Sequence, residues 1–301
     1  MPSTPTTPPH RSAASGPRPS LLAVGDNVVD HYPQRGLFYP GGNAVNVAVH
    51  ARRLGVDSAY VGTVGTDLAG RVVLEALHNE GVDLARTRIV EGPNAFAVVQ
   101  VIDGNRAFTH GDLGVSDFTL TEDDLAAAAA YDIVHTGECS GVEDQLSLLA
   151  RSAARLSFDF SERPWEYVQE HAPSVSIATW SSPSGDLAEA TRAAERVRSL
   201  GPTTVAVTMG AHGAVVLEED VTYAPAGSGQ IVDTLGAGDA FIARLLAGLV
   251  RHESRAELAW AATEYATQAC ASFGAFGYAT PLDSRTIPHD STHRPDRLDV
   301  S

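Results

Sequence analysis

Short, β-branched apolar runs alternate along the chain with segments whose apolar residues recur every three or four positions. The apolar runs have the length and composition of strands, and they occupy residues 21–30, 58–65, 131–137, 155–161, 174–180 and 203–210. The helical segments mostly end at a glycine, and they occupy residues 43–55, 68–81, 186–201, 237–252 and 255–274. This alternation predicts an α/β fold, in which a mostly parallel sheet carries helices on both faces.

Two segments interrupt this rhythm. Residues 31–40 and 94–112 lack helical periodicity, and the second contains Asp-Gly-Asn at 103–105, a hairpin-turn signal between alternating runs. They predict either a small antiparallel flap that stands off the main sheet or edge strands of that sheet, and we expect the flap.

The two ends of the chain differ from the rest. Residues 1–20 are rich in Pro, Ser and Thr, and residues 283–301 are equally polar, without apolar periodicity in either. Both are typical of disordered tails. We therefore expect one domain over residues 21–282, with the lid segments at about 31–40 and 94–112 inserted in it.

Composition narrows the range of functions. The formal net charge is −16, which disfavours binding to nucleic acid or to an anionic membrane. All 21 basic residues are arginines, so a phosphate-binding P-loop lysine and Schiff-base chemistry are excluded. No apolar run approaches the roughly 20 residues that span a bilayer. Cys139 and Cys270 form no CxxC pair, so we expect two buried structural thiols in a cytoplasmic protein.

Glycine, Asp and Asn cluster where strands are followed by helices. The clusters occupy residues 25–30, 41–46, 208–213 and 233–239. Ligands of open α/β sheets bind at the carboxyl ends of the strands, beside helix N-termini. The pattern therefore predicts one composite site at this edge. Metalloprotease HExxH, hydrolase GxSxG and dinucleotide-binding GxGxxG motifs are all missing from the sequence.

The last of these clusters suits phosphoryl transfer. Gly236, Ala237 and Gly238 would let an anion approach the free amides at a helix start. Asp239 would then be a general base that takes a proton from an attacking hydroxyl; the alternative is an acid favoured by the helix dipole. Asp233 and Thr234 offer oxygens to a cation or a nucleotide phosphate, or simply form a turn.

The early clusters suit a sugar. Asp26, Asn27 and Asp30 offer the donors and acceptors that pairs of sugar hydroxyls require. Asn43 and Asn46 lie three positions apart and share one helix face. The alternative for these two is a helix cap at Asn43 and a solvated Asn46.

Taken together, residues 41–55, 61–70, 207–214 and 233–241 resemble the signatures of the ribokinase-like (phosphofructokinase B type) carbohydrate kinases. The order and spacing match over residues 21–282. The resemblance implies a three-layer α/β/α sandwich, a small β lid over the sugar, and transfer of the γ-phosphate of ATP to a primary hydroxyl. It also implies Mg²⁺ with the ATP, K⁺ as the monovalent cation, and a homodimer formed through the lid.

The resemblance assigns roles to individual residues. Asp239 matches the catalytic base, and the preceding Gly-Ala-Gly matches the anion hole. The sugar-contacting positions are Asp30, Gly42, Asn43 and Asn46, to which we add Asp26, Asn27, Gly41, Arg106 and Glu138 as candidates. The nucleotide positions are Thr208, Gly210, Gly213, Thr234, Gly236, Gly238 and Gly274, and Asp233 matches a monovalent-cation ligand.

Within this family, residues 25–34, 131–135 and 158–161 and the asparagine at 43 are most like the fructoselysine 6-kinases. These enzymes phosphorylate the 6-hydroxyl of a sugar-amine adduct. The short interval from Asp30 to Gly41 suggests a reduced lid with room for such a substituent, whose ammonium Asp112 or Glu138 would receive. The alternatives are a kinase for a free sugar such as fructose or ribose, and a sugar-sensing protein without catalysis.

One motif departs from the family pattern. Residues 179–189 stand where an N-x-x-E motif tied to Mg²⁺ is usual. Asp186 or Glu189 would replace it, or water would complete the metal shell.

Overall fold

The computed structural model describes residues 18–102 and 105–282, leaving out the side chains of 101–102 and 105–107. The predicted C-terminal tail, most of the N-terminal one and positions 103–104 of the hairpin signal lie outside this part. The helices are α1 (Asn43–Arg53), α2 (Leu68–Asn79), α3 (Glu122–Ala128), α4 (Leu146–Ser152), α5 (Trp165–His171), α6 (Leu187–Arg198), α7 (Ala237–Val250) and α8 (Arg255–Ala269). The strands are β1 (Ser20–Val24), β2 (Val28–Tyr32), β3 (Leu37–Gly41), β4 (Asp57–Val61), β5 (Thr63–Gly65), β6 (Arg88–Val90), β7 (Phe96–Ile102), β8 (Asn105–Asp112), β9 (Ile133–Gly137), β10 (Leu156–Asp159), β11 (Ile177–Ser181), β12 (Thr204–Thr208), β13 (Ala214–Leu217), β14 (Val221–Ala224) and β15 (Thr280–Pro281).

The main sheet has eight strands in the order β14-β13-β12-β11-β10-β9-β1-β4. Its six strands from β12 to β4 run parallel, and β13 and β14 add an antiparallel hairpin at one side. All parallel strands therefore end at the same edge, as the sequence predicts.

Helices cover both faces of this sheet. Along β1, Leu21 and Ala23 pack in one core with residues of α1, α2, α7 and α8, whereas Leu22 and Val24 pack in a second core with residues of α3 to α6. Alternate residues of a strand point to opposite faces, so the two cores lie on either side of the sheet. The predicted three-layer arrangement is confirmed.

A second, smaller sheet contains the two segments that interrupt the helical rhythm. Its order is β15-β3-β2-β7-β8, so these strands form a sheet of their own instead of edge strands of the main one. Its inner face includes Tyr32, Tyr39 and Val99, which pack on Leu235 in the turn before α7. The small sheet is thus attached to the turn that carries the predicted anion hole.

Two apolar runs that we expect to be single strands are each divided in the structure. Residues 21–30 form β1 and β2, and residues 58–65 form β4 and β5, with the two halves of each run in different sheets. The chain turns at Gly25, whose φ is +139°, and at Gly62, where a Cβ would collide with Tyr60 and the Gly25 carbonyl. A periodicity of apolar residues does not register such a turn.

Among the residues that the structure describes, no helix is both long enough and apolar enough to cross a membrane.

Candidate active site

A cavity of about 410 Å³ lies at the carboxyl ends of the parallel strands, between the main sheet and the small sheet. Eleven of the predicted site residues line it: Asp26, Asn27, Asp30, Gly42, Asn43, Asn46, Glu138, Thr234, Gly236, Gly238 and Asp239. Residues from four parts of the sequence therefore meet in one place. Asp26, Asn27 and Glu138 follow β1 and β9, which end at this edge, whereas Asp30 lies on β2 of the small sheet and the others lie at the starts of α1 and α7.

Asp239 is held by two asparagine side chains. Nδ2 of Asn43 donates to its Oδ1 at 2.7 Å, and Nδ2 of Asn46 donates to its Oδ2 at 2.6 Å. Helix α1 is preceded by Gly42 at its N-cap, and Asn46 is only 4% exposed. The alternative of a capping Asn43 and a solvated Asn46 is therefore wrong. Both amides instead hold the carboxylate in one orientation.

A second carboxylate, that of Asp159, stands beside the first. Its Oδ2 accepts from the same Nδ2 of Asn43 at 3.0 Å, and its Oδ1 accepts from the Ser161 amide and the Thr179 hydroxyl. Burial, with the neighbouring charge of Asp239, raises the pKa of Asp159 to about 7. Burial also raises the pKa of Asp239 to about 6, against the lowering by its two asparagines.

Behind Asn43 lies a buried histidine. His135, on β9, is fully enclosed, and its ring nitrogens lie 3.0 Å from Oδ1 of Asn43 and 3.0 Å from Oγ of Ser157. Burial lowers the pKa of His135 to about 3, so its imidazole is neutral.

The carboxylate of Asp26 binds the first backbone amides of α1. It accepts from the amides of Asn43 and Ala44 and from the hydroxyl of Ser140. Burial raises the pKa of this carboxyl, while the two amides and the hydroxyl lower it. Asp26 therefore fixes the helix that presents the asparagines.

Two buried amide oxygens of the cavity wall have no hydrogen-bond partner among the described residues. They are Oδ1 of Asn27 and Oδ1 of Asn46. The amide nitrogen of Asn27 is engaged, since it donates to Tyr60 and to the Thr63 carbonyl. An unpaired buried acceptor is costly unless a ligand supplies a donor, as a sugar hydroxyl would.

The predicted anion hole lies at the start of α7. Gly236 has a φ of +74°, and a Cβ there would collide with Ala275, whereas a Cβ at Gly238 would meet no neighbour within 4 Å in the part of the chain that the structure describes. The amides of a first helical turn have no carbonyl partner in the helix. One of them, that of Ala237, donates instead to the Thr234 carbonyl at 3.2 Å. The open approach is therefore at Gly238.

Two glycines of the 41–46 segment stand close to the acids of the first segment. A Cβ on Gly41 would collide with the carboxylate of Asp30, and one on Gly42 would come within 2.9 Å of Asp26. Asp30 is 3% exposed and lines the cavity. Small residues here let β3 and β2 bring the carboxylates to the cavity wall.

Other predicted residues lie away from the cavity wall. Thr208 ends β12 and contacts Ser181 at 3.1 Å, and Gly210 and Gly213 form the turn that follows. Arg106 is on β8, and its side chain is outside the described part of the chain. Asp186 caps α6 by accepting from the Glu189 amide at 2.8 Å.

Asp233 and Gly274 lie together. The Asp233 carboxylate accepts from the hydroxyl of Tyr32 at 2.6 Å and from the amides of Leu235 and Gly274. A Cβ on Gly274 would press into the ring of Tyr39. These donors tie the turn before α7 to the small sheet, so the carboxylate has a structural part here.

Glu138 and Cys139 each have a neighbour that the sequence does not predict. The carboxylate of Glu138 pairs with Arg163 at 2.8 Å, and the Cys139 thiol donates to Oε1 of Glu138 at 3.0 Å. Cys270 is buried as expected, but Cys139 is partly exposed and lines the cavity. Burial beside Glu138 and Asp26 raises the pKa of the Cys139 thiol, which keeps it protonated.

Residues 20–280 match the pfkB family of carbohydrate kinases. The chain belongs to this family. The resemblance seen in the sequence is therefore confirmed, and with it an ATP-dependent carbohydrate kinase.

Two relatives in this family carry names that bear on the substrate. The fructosamine kinase FrlD of Bacillus subtilis (strain 168) is 37% identical over 268 residues, which cover 87% of this chain and 94% of the relative. The fructoselysine 6-kinase of Escherichia coli (strain K12) is 36% identical over 234 residues, which cover 76% of this chain and 88% of the relative.

A solved structure of the same fold is the Arabidopsis thaliana ribokinase complexed with ribose and ATP. Its TM-score is 0.72 at 21% identity, and the match covers 86% of this chain and 94% of that one. The likeness shows that the kinase shares the ribokinase-like fold.

Asp159 and His135 are not among the site residues predicted from the sequence. Both lie in segments that resemble the fructoselysine 6-kinases, and both lie on strands that end at the site. The strand-end rule points to Asp159. For His135 the sequence holds no signal, because its position behind Asn43 depends on how α1 packs on β9.

Proposed function

We propose that this kinase transfers the γ-phosphate of ATP to the 6-hydroxyl of a fructosamine, a ketose that carries a protonated amine. The observation that supports this most strongly is the charge of the cavity wall. Eight carboxylate residues line it, and the described lining residues include no Lys, Arg or His. The acids are Asp26, Asp30, Asp112, Asp117, Glu138, Asp159, Glu162 and Asp239. Such a wall favours a cationic substrate over a neutral sugar of similar shape.

In the proposed reaction, Asp239 is the general base. Its carboxylate accepts the proton of the 6-hydroxyl as the oxygen attacks the γ-phosphorus, and ADP leaves. Asn43 and Asn46 hold the carboxylate toward the hydroxyl. The amides at the start of α7, beside Gly238, stabilise the negative charge of the transferring phosphoryl group.

The metal ions remain proposals. Among the described residues there is no group of three or more His, Cys, Asp or Glu that could hold a metal ion. We infer that Mg²⁺ binds mainly through the phosphates of ATP and water, and that it neutralises phosphate charge. We also propose that Asp233 binds K⁺, as the family resemblance implies, while its carboxylate accepts the hydrogen bonds described above.

The position of Asp239 orients the substrate. With the 6-hydroxyl at the base, the amine at the other end of the sugar points away from the floor of the cavity and toward its rim. Asp112, the last residue of β8, is half-buried and Asp117 is exposed, and both line the cavity. We therefore infer that Asp112 and Asp117, at the more exposed side of the cavity, receive the ammonium.

The test compares a fructosamine with an uncharged analogue of similar shape and with a free sugar. Initial rates of ADP release are measured with fructoselysine, with an analogue whose amine is replaced by an ether oxygen, and with fructose. We expect kcat/KM to fall about 10-fold or more for the ether, since an ion pair that is partly desolvated contributes roughly 1.5–3 kcal/mol. The double variant Asp112→Asn, Asp117→Asn should lose the preference for the amine.

The control variant is Asp123→Asn, which makes the same chemical change at an exposed site outside the cavity. It should keep the preference for the amine. Equal kcat/KM for fructoselysine and its ether analogue would refute the charge argument, and faster turnover of fructose would favour a kinase for a free sugar. The predicted homodimer through the small sheet is measured separately, by light scattering.

A further inference from the structure

The buried histidine behind Asn43 has no place in the reaction as proposed above, although it lies one side chain from the base. Its contacts form a continuous chain of hydrogen bonds. The chain runs from Ser157 through His135 to Asn43, and from Asn43 to both Asp159 and Asp239.

The direction of each bond in this chain is fixed by chemistry. The Oδ1 of Asn43 can only accept, so Nε2 of His135 carries a proton and donates it. Because the ring is neutral, its Nδ1 has no proton and accepts from the hydroxyl of Ser157. Every donor in the chain therefore points toward the two carboxylates.

The orientation of the Asn43 amide decides whether its N–H groups or its oxygen face the two carboxylates. As the structure has it, the two N–H groups of Asn43 face Asp159 and Asp239. Turned by half a revolution, the amide would set its oxygen against both negative charges and leave His135 without its acceptor. A donor fixed behind the amide also strengthens the N–H groups in front, because hydrogen bonds in a chain polarise one another.

We propose that His135 is a positioning residue of the phosphoryl-transfer site, whose Nε2–H locks the Asn43 amide so that Asp239 stays ionised for proton abstraction. This rests on the proposed role of Asp239 as the base. His135 touches neither substrate nor base and acts through Asn43.

Other charged groups also face these carboxylates. Asp26, from the loop after β1, faces Asp239, and Glu138, from the loop after β9, faces Asp159. Glu138 in turn pairs with Arg163. The carboxylates of Asp26 and Glu138 disfavour ionisation of the pair. The N–H groups of Asn43 and Asn46 oppose them at Asp239, and the Ser161 amide and the Thr179 hydroxyl oppose them at Asp159.

The experiment is the pH profile of kcat between pH 5 and 9, measured with saturating Mg-ATP and the sugar that the wild-type protein turns over fastest. The variants are His135→Phe, which removes the donor, Ser157→Ala, which removes the hydroxyl behind it, and His135→Gln, whose amide can still donate to Asn43. Thr136→Val is the control, since Thr136 is equally buried on β9 and points to the opposite face.

For His135→Phe we expect the acid limb of the profile to shift to higher pH by roughly one pH unit. Without the donor behind it, the Asn43 amide is a weaker donor to Asp239, and this carboxyl then keeps its proton to higher pH. Ser157→Ala should move it in the same direction by less, so it tests the inference if the Phe variant does not fold. His135→Gln and Thr136→Val should keep the wild-type limb. A limb that is unchanged in both His135→Phe and Ser157→Ala, with only a lower melting temperature, would overturn the proposal.

Asp239→Asn separates this inference from the function on which it rests. If Asp239→Asn keeps substantial turnover, the proposed base is wrong. If it abolishes turnover while the profiles of the His135 and Ser157 variants stay fixed, the base is right and the positioning role of His135 is wrong.

Discussion

The surroundings of the Asp239 carboxylate have two opposite effects on its ionisation. Two asparagine amides favour its ionised form, yet burial raises its pKa to about 6. Asp159, beside it, has a pKa of about 7 for the same reason and because of the neighbouring charge. A carboxylate with this pKa is ionised near neutral pH but binds a proton readily, which is what the proposed proton abstraction from a hydroxyl needs.

This arrangement should cost stability when the carboxylate is ionised. Burial raises the pKa of Asp239 in the folded protein from the ordinary value of 3.8 to about 6, so the neutral carboxyl stabilises the fold at low pH and this contribution is lost as pH rises through about 6. The rise corresponds to about 3 kcal/mol. We predict that Asp239→Asn gains stability relative to wild type between pH 4.5 and pH 8.

Melting temperatures at both pH values give this difference, with Asp123→Asn as the control. The substitution itself need not be neutral, because only the change with pH is compared. A difference between variant and wild type that is the same at pH 4.5 and pH 8 would contradict the raised pKa.

At the scale of elements, the start of α7 places two glycines under different constraints. Gly236 is in the left-handed region with Ala275 against it, whereas Gly238 is helical and faces open space. The sequence shows both as members of one small-residue turn and cannot tell these constraints apart. The first glycine is required by the backbone, and the second leaves room for a ligand.

We predict opposite outcomes for the two alanine substitutions. Gly236→Ala should lower the free energy of unfolding by about 1–2 kcal/mol or more, because an L-residue is strained there and its Cβ collides with Ala275. Gly238→Ala should raise it by up to about 1 kcal/mol as a helical position. Its methyl group would nevertheless stand where the phosphoryl group approaches, and kcat should fall about 100-fold. Urea unfolding and initial rates measure the two effects; a Gly238→Ala enzyme with normal kcat would contradict the anion hole.

The helices and strands also differ in how well the sequence predicts them. Helices such as α1 and α6 follow from their periodicity and their glycine or Asp boundaries, and the convergence of strand ends predicts which segments share the site. The division of 21–30 and 58–65 between sheets depends on glycine turns that periodicity does not record. The pairing of Asp159 with Asn43 depends on packing between elements more than 100 residues apart.

At the scale of the whole molecule, a few specific contacts join the small sheet to the turn before α7. Tyr32 donates to Asp233, and Leu235 packs among the tyrosines of the small sheet. The cavity is closed on one side by this sheet and on the other by the main sheet. The position of the small sheet over the cavity is therefore coupled to the turn that leads into α7.

Tyr32→Phe tests this coupling. The change removes a 2.6 Å hydrogen bond to a carboxylate, so we expect the free energy of unfolding to fall by about 1.5–3 kcal/mol. We also expect KM for the sugar to rise several-fold with a smaller change in kcat, because Asn43, Asn46 and Asp239 are untouched. Tyr131→Phe, in the opposite core, is the control. An unchanged KM would show that the sheet is held in place without this bond.

The edge of the small sheet is completed by the far end of the chain. Strand β15 pairs with β3 through Thr280 and Phe38, and the Leu282 amide donates to the Gly36 carbonyl. During synthesis, β3 leaves the ribosome long before its partner exists, so the small sheet acquires this edge strand only after the segments of α7 and α8 have been made. A nascent chain that ends before β15 has the proposed base and its asparagines but a small sheet of four strands.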